Sequence, residues 1–464
     1  MSWRDQSMAA PQHPVSDESR ERYTLISAIE TQRRSTVIAY FLSDRSGANA
    51  QIAEDAVRPI YDHLRTVAPV HKIDLFLHSV GGLTDVPWRI VTMIREFAEE
   101  FAVLIPYKAL SAATMIALGA DEIVMGRKGE LSPIDPQLSI QRNGEGGIPK
   151  QEQLAVEDIM SYVRFLRDKV GLSDQSALAV PVSALATKLE PWILGQINRA
   201  HSHIRSVARK LLTSPGKQRT LDEPRIQAIV DMLAEKTYQH GHAIGRKEAK
   251  EIGLNVVEPS SPLEDLMWRL FESYEALCKI RQPVDPRSFV PAGKEEYAEH
   301  VVTGCIESVA LAHRLEGELL GRTRRQIPPQ LNFNLNFNLQ FPANVQQHEL
   351  PAALQQSIQQ ALQQLQQQAH ALVQQELNRQ MPIIGFEGWI QGAAWRRSDD
   401  WPDSVPVATG SMSGSAPFCQ IEPATIEPAA VNGWTPRSGQ SGAADESHNV
   451  SPAGHPRDPR VYLD

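Results

Sequence analysis

The sequence predicts an α/β fold in which a parallel sheet is connected by crossover helices. Three continuous runs of β-branched and aromatic residues indicate strands that are buried on both faces: STVIAYFLS at 35–43, IDLFL at 73–77 and FAVLI at 101–105. Segments with helical spacing of apolar residues lie between these runs. Strands that alternate with helices of about 10–15 residues are typical of a parallel sheet with crossover helices.

Helices are predicted after each of the three strand runs. The segment 51–67 carries apolar residues at intervals of four, as on one face of a helix: Ile52, Ala56, Ile60 and Leu64. A second helix begins near Asp85. Either Thr84 or Asp85 can cap it, and Pro87 lies in its first turn, where a missing N–H costs little. A helix of small residues at 111–118 follows the third run and leads to a short strand at 122–125.

The domain that contains these strands is predicted to cover residues 22–257. Residues 1–21 are polar and contain proline, so we expect a disordered arm. From Gln151 the pattern is mostly helical, with further helices at 182–212 and 223–239. A helix, a glycine stop and a short strand at 249–259 close the domain.

The C-terminal part of the chain differs in composition. Residues 258–320 are predicted to be a helical extension, and 321–396 to hold a strand and a helix. The strand is LNFNLNFNLQF (331–341), which places Leu and Phe on one face. The Gln-rich stretch 346–380 has apolar residues mostly three or four apart, typical of an amphipathic helix or a short coiled coil. Residues 397–464 are rich in Pro, Gly, Ser and Asp, and we expect a disordered tail.

The bulk composition favours a cytoplasmic protein without a cofactor. A net charge of −9 argues against a dedicated nucleic-acid or anionic-membrane surface. No run approaches the roughly 18 apolar residues of a membrane span, and the N-terminus has no apolar signal core. The three cysteines form no CxxC pair, as expected in a reducing compartment. Nucleotide, zinc and dinucleotide motifs are missing from the sequence, so we expect neither a metal nor another cofactor.

Two motifs follow the ends of neighbouring strands. LHSVGG (77–82) follows the second strand, and ALSAATMIALGADEIVM (109–125) places Ser111 at the start of a helix. Acyl transfer needs a nucleophile and backbone N–H groups directed at a developing oxyanion, and glycine allows close backbone approach. The pair therefore favours a serine nucleophile. The alternatives are an ordinary helix N-cap for Ser111 and a tight turn at Gly81 and Gly82.

Three segments resemble a known family: IDLFLHSVGG, YKALSAATMIALGADEIVMG and LSPIDPQ (131–137). They are similar to the serine dehydrogenase proteinase family, which belongs with signal peptide peptidases and the Clp proteolytic subunit in the Clp/crotonase-like fold. HGHAIGRKEAKEIGL (240–254) is similar to the helix and turn that close this fold. The resemblance covers roughly residues 22–257 and implies a serine-type peptidase that acts on peptide or protein substrates and forms a homo-oligomer.

The resemblance also implies the roles of individual residues. Ser111 becomes the nucleophile, and the N–H groups of Gly81 and Ala112 form the oxyanion hole. Gly82 leaves room for a substrate that binds as an extended strand beside the loop. No metal is implied at this site.

The resemblance leaves the general base open. Clp-type enzymes use a histidine in the region that corresponds to 132–136, but this stretch contains none. Signal peptide peptidase relatives use a Ser-Lys dyad, and Lys150, which follows Ser111 in the chain and lies just before a predicted helix, is the best-placed lysine. A lysine can serve as a base if desolvation lowers its pKa. The other candidates are Lys108, His240 and His242.

Three other positions distinguish this chain. Val80 stands where relatives usually have proline, and Ala113 stands where they usually have glycine, but neither change removes a reacting group. Asp135 lies between Pro133 and Pro136, and we expect it to belong to a structural turn.

Two other functions fit the same sequence. A catalytically degenerate scaffold would use residues 321–396 to bind a protein partner or to hold an oligomer together. Crotonase-type acyl-CoA chemistry uses the same oxyanion geometry, but those enzymes usually have Gly or Ala where Ser111 stands and carry acidic catalytic residues. We therefore rank that chemistry last.

Overall fold

The computed structural model describes residues 15–67, 69–143, 149–172, 174–214, 216–218, 220–236, 241–291, 294–326 and 351–402. The strands in these ranges are β1 (Thr36–Leu42), β2 (Asp44–Arg45), β3 (Ala48–Asn49), β4 (Val70–His78), β5 (Ala98–Ile105), β6 (Lys108–Ala109), β7 (Glu122–Met125), β8 (Glu130–Leu131), β9 (Gln137–Asn143), β10 (Pro149–Ala155), β11 (Val256–Val257), β12 (Glu296–Glu307), β13 (Ala312–Arg325) and β14 (Ile383–Arg397). The helices are α1 (Asp17–Arg33), α2 (Val57–Val67), α3 (Val86–Arg95), α4 (Ala112–Leu118), α5 (Val156–Asp168), α6 (Gln175–Lys188), α7 (Pro191–Leu212), α8 (Glu223–Asp231), α9 (Arg246–Ile252), α10 (Ser261–Leu277), α11 (Pro286–Phe289) and α12 (Ala352–Gln380).

Eight of these strands form one mixed sheet in the order β11-β7-β5-β4-β1-β12-β13-β14. The five strands from β11 to β1 are parallel to one another, while β12, β13 and β14 are each antiparallel to the preceding strand in this order. The predicted α/β fold with a parallel sheet and crossover helices is confirmed. The three antiparallel strands extend the sheet beyond its parallel part.

Helices cover both faces of the sheet, and β1 illustrates why its sequence is apolar throughout. Val37, Ala39 and Phe41 pack with apolar residues of α1 and α10. The alternate residues of β1 pack on the other face with α2, α3, α4 and α7: Ile38, Tyr40 and Leu42. A strand that is buried on both faces needs apolar residues at every position.

The segment after β4 and the segment after β5 are hydrogen-bonded to each other. Ser79 forms a parallel bridge with Ala109, so the segments that follow β4 and β5 continue side by side. Ser79 N–H donates to Lys108 C=O at 2.9 Å, and Leu110 N–H donates to Ser79 C=O at 3.0 Å. This pairing brings the two sequence motifs together.

The ordered chain begins earlier than the sequence predicted. Helix α1 starts at Asp17 rather than near residue 22, and Ser16 caps it by accepting a hydrogen bond from Ser19 N–H. Acidic residues in the first turn favour a helix start at this position. Asp400 also accepts hydrogen bonds from Ser16 and Ser19, which holds the start of α1 against a distant part of the chain.

The extension after residue 258 is only partly helical. Helix α10 agrees with the prediction, but the segment that follows forms the long strands β12 and β13. Strand β12 pairs with β1, from Ala39↔Glu307 to Leu42↔Gly304. Hydrogen bonding to a partner in such a distant part of the chain cannot be predicted from a local pattern.

Several smaller elements also differ from the prediction. Residues 149–155 form β10 rather than a helix, and the helix predicted at 182–212 is two helices, because Pro191 begins a new one. Helix α8 ends at Asp231 and is followed by a π-helical turn. The Gln-rich stretch forms α12, and β14 was not predicted. The LNFNLNFNLQF segment, residues 1–14 and residues 403–464 lie outside the described residues.

Candidate active site

The turn after β4 can be made only by glycine. Gly81 has φ +112° and Gly82 has φ +155°, conformations that L-residues with side chains rarely adopt. A Cβ atom on Gly82 would overlap the backbone of Ile52, and a Cβ on Gly81 would lie 2.7 Å from Ser111 Cβ. The glycine pair therefore packs directly against Ser111, as expected from the spacing of the two motifs.

Ser111 has an unusual backbone conformation immediately before α4. Its φ of +52° and ψ of −114° fall outside the regions that residues with a side chain usually occupy. Its N–H donates to Ser132 Oγ at 2.7 Å, and its C=O accepts a hydrogen bond from Met115 N–H at 3.1 Å. The Ser111 hydroxyl makes no capping hydrogen bond to α4, so N-capping does not account for this serine.

Two backbone amides next to Ser111 have no protein acceptor among the described residues: those of Gly82 and Ala112. Ala112 N–H is the first amide of α4 and has no acceptor within its own helix. Gly81 C=O accepts a hydrogen bond from Ile52 N–H at 2.8 Å. Because the C=O and N–H of a trans peptide point in opposite directions, Gly82 N–H points away from Ile52.

The Gly81 amide differs from its predicted role. The resemblance assigned Gly81 N–H to the oxyanion hole, but in the structure this group donates to Ser79 Oγ at 3.0 Å. Ser79 is fully buried. The choice of amide depends on how the turn is hydrogen-bonded, which the motif alone does not specify.

Ser132 is a residue of the site that sequence reasoning missed. It lies in the LSPIDPQ segment, is 3% exposed, and accepts the hydrogen bond from Ser111 N–H. Ser132 N–H donates to Thr114 Oγ1 at 3.0 Å, and Thr114 Oγ1 donates to Ala109 C=O at 2.7 Å. The only signal in the sequence was the LSPIDPQ segment, which was interpreted as a turn around Asp135.

Lys108 is engaged in an ion pair. Lys108 Nζ lies 2.7 Å from Asp44 Oδ2 and 4.7 Å from the centre of the Tyr107 ring. Burial by itself lowers the pKa of Lys108, but the hydrogen bond and the charge of Asp44 outweigh it and raise that pKa above its usual value. A lysine that holds its proton in this way is a poorer general base near neutral pH than one whose pKa is lowered.

The described residues show neither candidate histidine in the position of a general base. His242 Nε2 lies 2.8 Å from Glu248 Oε1 at the protein surface, while His240 lies outside the described residues. His78, which was not a candidate, is fully buried, and its Nδ1 lies 3.1 Å from Leu42 C=O. Burial lowers the pKa of His78 to about 4, so this imidazole stays neutral.

Lys150 lies on β10, within a hairpin that starts directly after the LSPIDP segment. It pairs with Arg142 of β9 in the antiparallel register. Val156 N–H donates to Pro136 C=O at 3.2 Å and closes the base of this hairpin. Lys150 was expected just before a helix but lies in a strand, near the start of β10; its side chain is outside the described part of the structure.

Asp135 is more than part of a turn. Its side chain is buried, and Asp135 Oδ1 accepts a hydrogen bond from Glu157 N–H in the first turn of α5 at 3.3 Å. Burial, followed by repulsion from Asp158, raises the pKa of Asp135 to about 7. The segment that follows Ser132 therefore includes a carboxyl group that changes charge near neutral pH.

The described ranges contain neither a cluster of metal ligands nor a helix that could cross a membrane on its own. Within them, no group of three or more His, Cys, Asp or Glu residues is arranged to hold a metal ion. No single helix in these ranges has the length and apolar character needed to cross a bilayer. One pair of helices, Ser176–Lys188 and Pro191–Leu212, meets those criteria only when its two members are taken together, and they are bent by 101°.

The chain matches one family model. Residues 7–145 match the family of ClpP-like SDH-type serine proteinases. This segment contains both the LHSVGG motif and Ser111. The match confirms the resemblance predicted from the motifs and supports a serine peptidase at the level of the family.

Curated relatives and solved structures also match. The uncharacterized proteins MJ0137 and MJ1495 of Methanocaldococcus jannaschii are 27% and 28% identical, and the alignments cover 61% and 51% of this chain and 86% and 71% of theirs. Two structures of the membrane-bound stomatin-specific protease 1510-N are similar: a serine-to-alanine mutant, and a lysine-to-alanine mutant in complex with a substrate peptide. They are 16% and 17% identical, with TM-scores of 0.29 and 0.27, and cover 50% and 49% of this chain and 85% and 77% of theirs.

Proposed function

We propose that this chain hydrolyses peptide bonds through an acyl-enzyme formed on Ser111. The observation that carries the proposal is the contact between Gly81 and Ser111, a half-buried serine whose hydroxyl does not cap the helix it precedes. The family match of residues 7–145 supports the same class of reaction. A serine beside free backbone amides at a sheet edge has the groups that acyl transfer requires.

In the proposed reaction, Ser111 Oγ attacks the scissile carbonyl carbon while its proton passes to the general base. The N–H groups of Gly82 and Ala112 stabilise the oxyanion, because Gly81 N–H is already bound to Ser79. The C–N bond then breaks, and the base returns the proton to the leaving amine. Water activated by the same base attacks the acyl-enzyme and releases the carboxylic acid product.

Lys150 is the proposed general base. Lys108 is ion-paired with Asp44, and the other described candidate, His242, pairs with Glu248 at the surface. Lys150 belongs to the β9–β10 hairpin, which continues the segment that contacts Ser111 through Ser132. A lysine on this hairpin can serve if burial by a bound substrate lowers its pKa toward neutrality.

The proposed substrate is an extended peptide that binds beside residues 81–83. The Gly81–Gly82 turn leaves no side chain between a substrate strand and the backbone, and Leu83 is 57% exposed directly after it. Binding of this kind relies on main-chain hydrogen bonds and depends little on the substrate's side chains.

The buried free cysteines Cys278 and Cys305 support the proposed cytoplasmic location.

A peptide-library digestion followed by mass spectrometry tests the proposed reaction. We expect the full chain to cleave unstructured peptides and Ser111→Ala to cleave none. Ser357→Ala, which removes an exposed serine hydroxyl from α12, should cleave as wild type does. Equal cleavage by Ser111→Ala and wild type, or no cleavage by either, would refute the proposal.

A second function, assembly through the C-terminal part, is favoured by the exposure of α12. None of the α12 residues whose side chains are described is buried, although the helix carries a stripe of apolar side chains. Leu365 is 49% exposed and Leu372 is 66% exposed. The helix has few charges to repel an identical helix, so we propose that α12 pairs with α12 of a second copy.

A further inference from the structure

Ser132 is bonded to the backbone of Ser111 and not to its side chain. Ser132 Oγ accepts Ser111 N–H at 2.7 Å and lies 2.9 Å from Pro133 C=O, to which it donates. A hydroxyl can donate only one hydrogen, and that of Ser132 is already donated to Pro133 C=O. The lone pairs of Ser132 Oγ are then directed at Ser111 N–H.

The conformation of Ser111 needs such support. Ser111 has φ +52° and ψ −114°, a backbone conformation that residues with a side chain rarely adopt. A residue keeps such a conformation only when contacts with its surroundings hold the backbone in place. The neighbouring bonds, from Met115 N–H to Ser111 C=O and from Ala113 N–H to Leu110 C=O, come from the first residues of α4, directly after Ser111. Ser132 supplies a bond to Ser111 from a separate segment of the chain.

Ser132 is itself fixed from the other side. Its N–H donates to Thr114 Oγ1, whose hydrogen is donated to Ala109 C=O. Thr114 is fully buried and Ser132 is 3% exposed. Two buried hydroxyl groups thus connect the segment before Ser111, helix α4 and residues 132–133 into one hydrogen-bonded unit.

We propose that Ser132 is a positioning residue for the nucleophile. Its hydroxyl holds Ser111 in the positive-φ conformation that places the Ser111 side chain against the Gly81–Gly82 turn. This rests on the proposed peptidase function and adds a residue to it. Ser132 bonds the peptide of Ser111 and acts through it, so it is not a catalytic residue.

Removal of this hydroxyl should affect the chemical step more than substrate binding. In Ser132→Ala, Ser111 N–H loses its acceptor in a partly buried site, and Ser111 should relax toward an ordinary backbone conformation. Displacements of about 1 Å in a reacting group can lower rates by about 100-fold, so we expect kcat to fall about 10- to 100-fold. KM should stay within about twofold, because the backbone that binds the peptide is unchanged.

The test combines kinetics of peptide hydrolysis with two crystal structures. The kinetic variants are Ser132→Ala, Ser132→Thr, which keeps the hydroxyl, and Ser132→Cys, which replaces it with a weaker acceptor. Ser214→Ala is the matched control, because Ser214 is 4% exposed and its hydroxyl has no partner among the described residues. Structures of wild type and Ser132→Ala report the φ angle of Ser111.

The proposal predicts a fall in kcat for Ser132→Ala, a smaller fall for Ser132→Cys, recovery in Ser132→Thr and no change in Ser214→Ala. A kcat within twofold of wild type in Ser132→Ala, or in Ser132→Cys if the alanine variant does not fold, would overturn it. So would a φ angle of Ser111 that is the same in the Ser132→Ala structure as in wild type. If wild type cleaves no peptide, the proposed function fails, while the two crystal structures still decide whether Ser132 holds Ser111.

Discussion

At the scale of single residues, the candidate site depends on backbone conformations that a sequence motif only partly determines. The adjacency of Gly81 and Ser111 could be predicted, because the carboxyl ends of neighbouring parallel strands meet at one edge of a sheet. The partner of Gly81 N–H could not, because it depends on the rotamer of Ser79. The hydrogen bond from Ser111 N–H to Ser132 could not be predicted either, since a local pattern cannot show which hydroxyl faces which amide.

Replacing Gly82 with alanine should disrupt the site. The new Cβ would overlap the backbone of Ile52, which cannot move aside as a flexible side chain can. We expect kcat/KM for peptide hydrolysis to fall at least about tenfold and stability to fall by about 1–3 kcal/mol. Gly195→Ala is the control, because Gly195 lies in α7 with open space around it and should gain about 0.5–1 kcal/mol. A Gly82→Ala variant as active as wild type would show that the turn does not position the substrate.

Asp135 should make stability depend on pH. Its folded-state pKa of about 7 lies above the value of about 3.9 expected in the unfolded chain, so the folded state favours the protonated carboxyl. The unfolded chain releases this proton first, and the contribution of Asp135 to stability should decline as pH rises from about 4 to about 7. Asp135→Asn cannot ionise and keeps an oxygen for Glu157 N–H.

Denaturant unfolding at several pH values checks this expectation. The free energy of unfolding of Asp135→Asn, minus that of wild type, should increase between pH 4.5 and pH 7 and level off above pH 7. Asp399→Asn, at an exposed aspartate, controls for the loss of a surface charge. A difference that stays constant across this range would contradict the assignment of a neutral buried carboxyl.

At the scale of elements, the parallel part of the sheet was predictable and the antiparallel part was not. The runs at 35–43, 73–77 and 101–105 correspond to β1, β4 and β5, because strands buried on both faces are apolar at every position. Strands β12 and β13 carry many charged residues, and β12 and most of β13 lie in residues 258–320, which were predicted to be a helical extension. Their pairing with β1 and with each other decides their structure, and sequence patterns do not show pairing partners.

A buried ion pair attaches β12 to the helices behind the sheet. Arg22 of α1 donates from Nε and Nη2 to the two carboxylate oxygens of Glu307 at 2.9 and 3.2 Å. Tyr274 OH of α10 donates to the same carboxylate at 2.8 Å. Arg22 and Glu307 are both fully buried, so the loss of either one leaves an uncompensated charge.

We therefore expect Arg22→Ala to destabilise the protein by about 3–5 kcal/mol. Arg269→Ala removes an exposed arginine that pairs with Glu21, and it should cost at most about 1 kcal/mol. Chemical denaturation of both variants measures the contrast. Similar small losses in both would mean that β12 does not depend on the pair.

At the scale of the whole molecule, the mixed sheet continues into a C-terminal region with exposed apolar side chains. Strand β14 is the last strand of the sheet and carries the exposed residues Ile384 (60%) and Trp389 (41%). Strand β14 and helix α12 both expose large apolar side chains to solvent. Such surfaces usually mark interaction sites.

Charges placed on the apolar stripe of α12 should weaken the proposed assembly. Leu365→Glu combined with Leu372→Glu should reduce the mass in solution, measured by light scattering after size exclusion, to that of a smaller species. Gln363→Glu with Gln367→Glu adds the same charges to the opposite face of the helix and should leave the mass unchanged. If both double variants keep the wild-type mass, α12 does not hold the copies together.

The most direct test of the proposed nucleophile is a fluorophosphonate reaction with the full chain, followed by peptide mapping. The reagent forms a P–O bond with an activated serine oxygen and releases fluoride. We predict one adduct, on Ser111. The adduct should form at least about tenfold more slowly in Lys150→Met, because the proposed base is lost. Its rate of formation should be unchanged in Lys247→Met, which replaces an exposed lysine of α9. No adduct on the wild-type chain, or an adduct on another serine with Ser111 unmodified, would contradict the account.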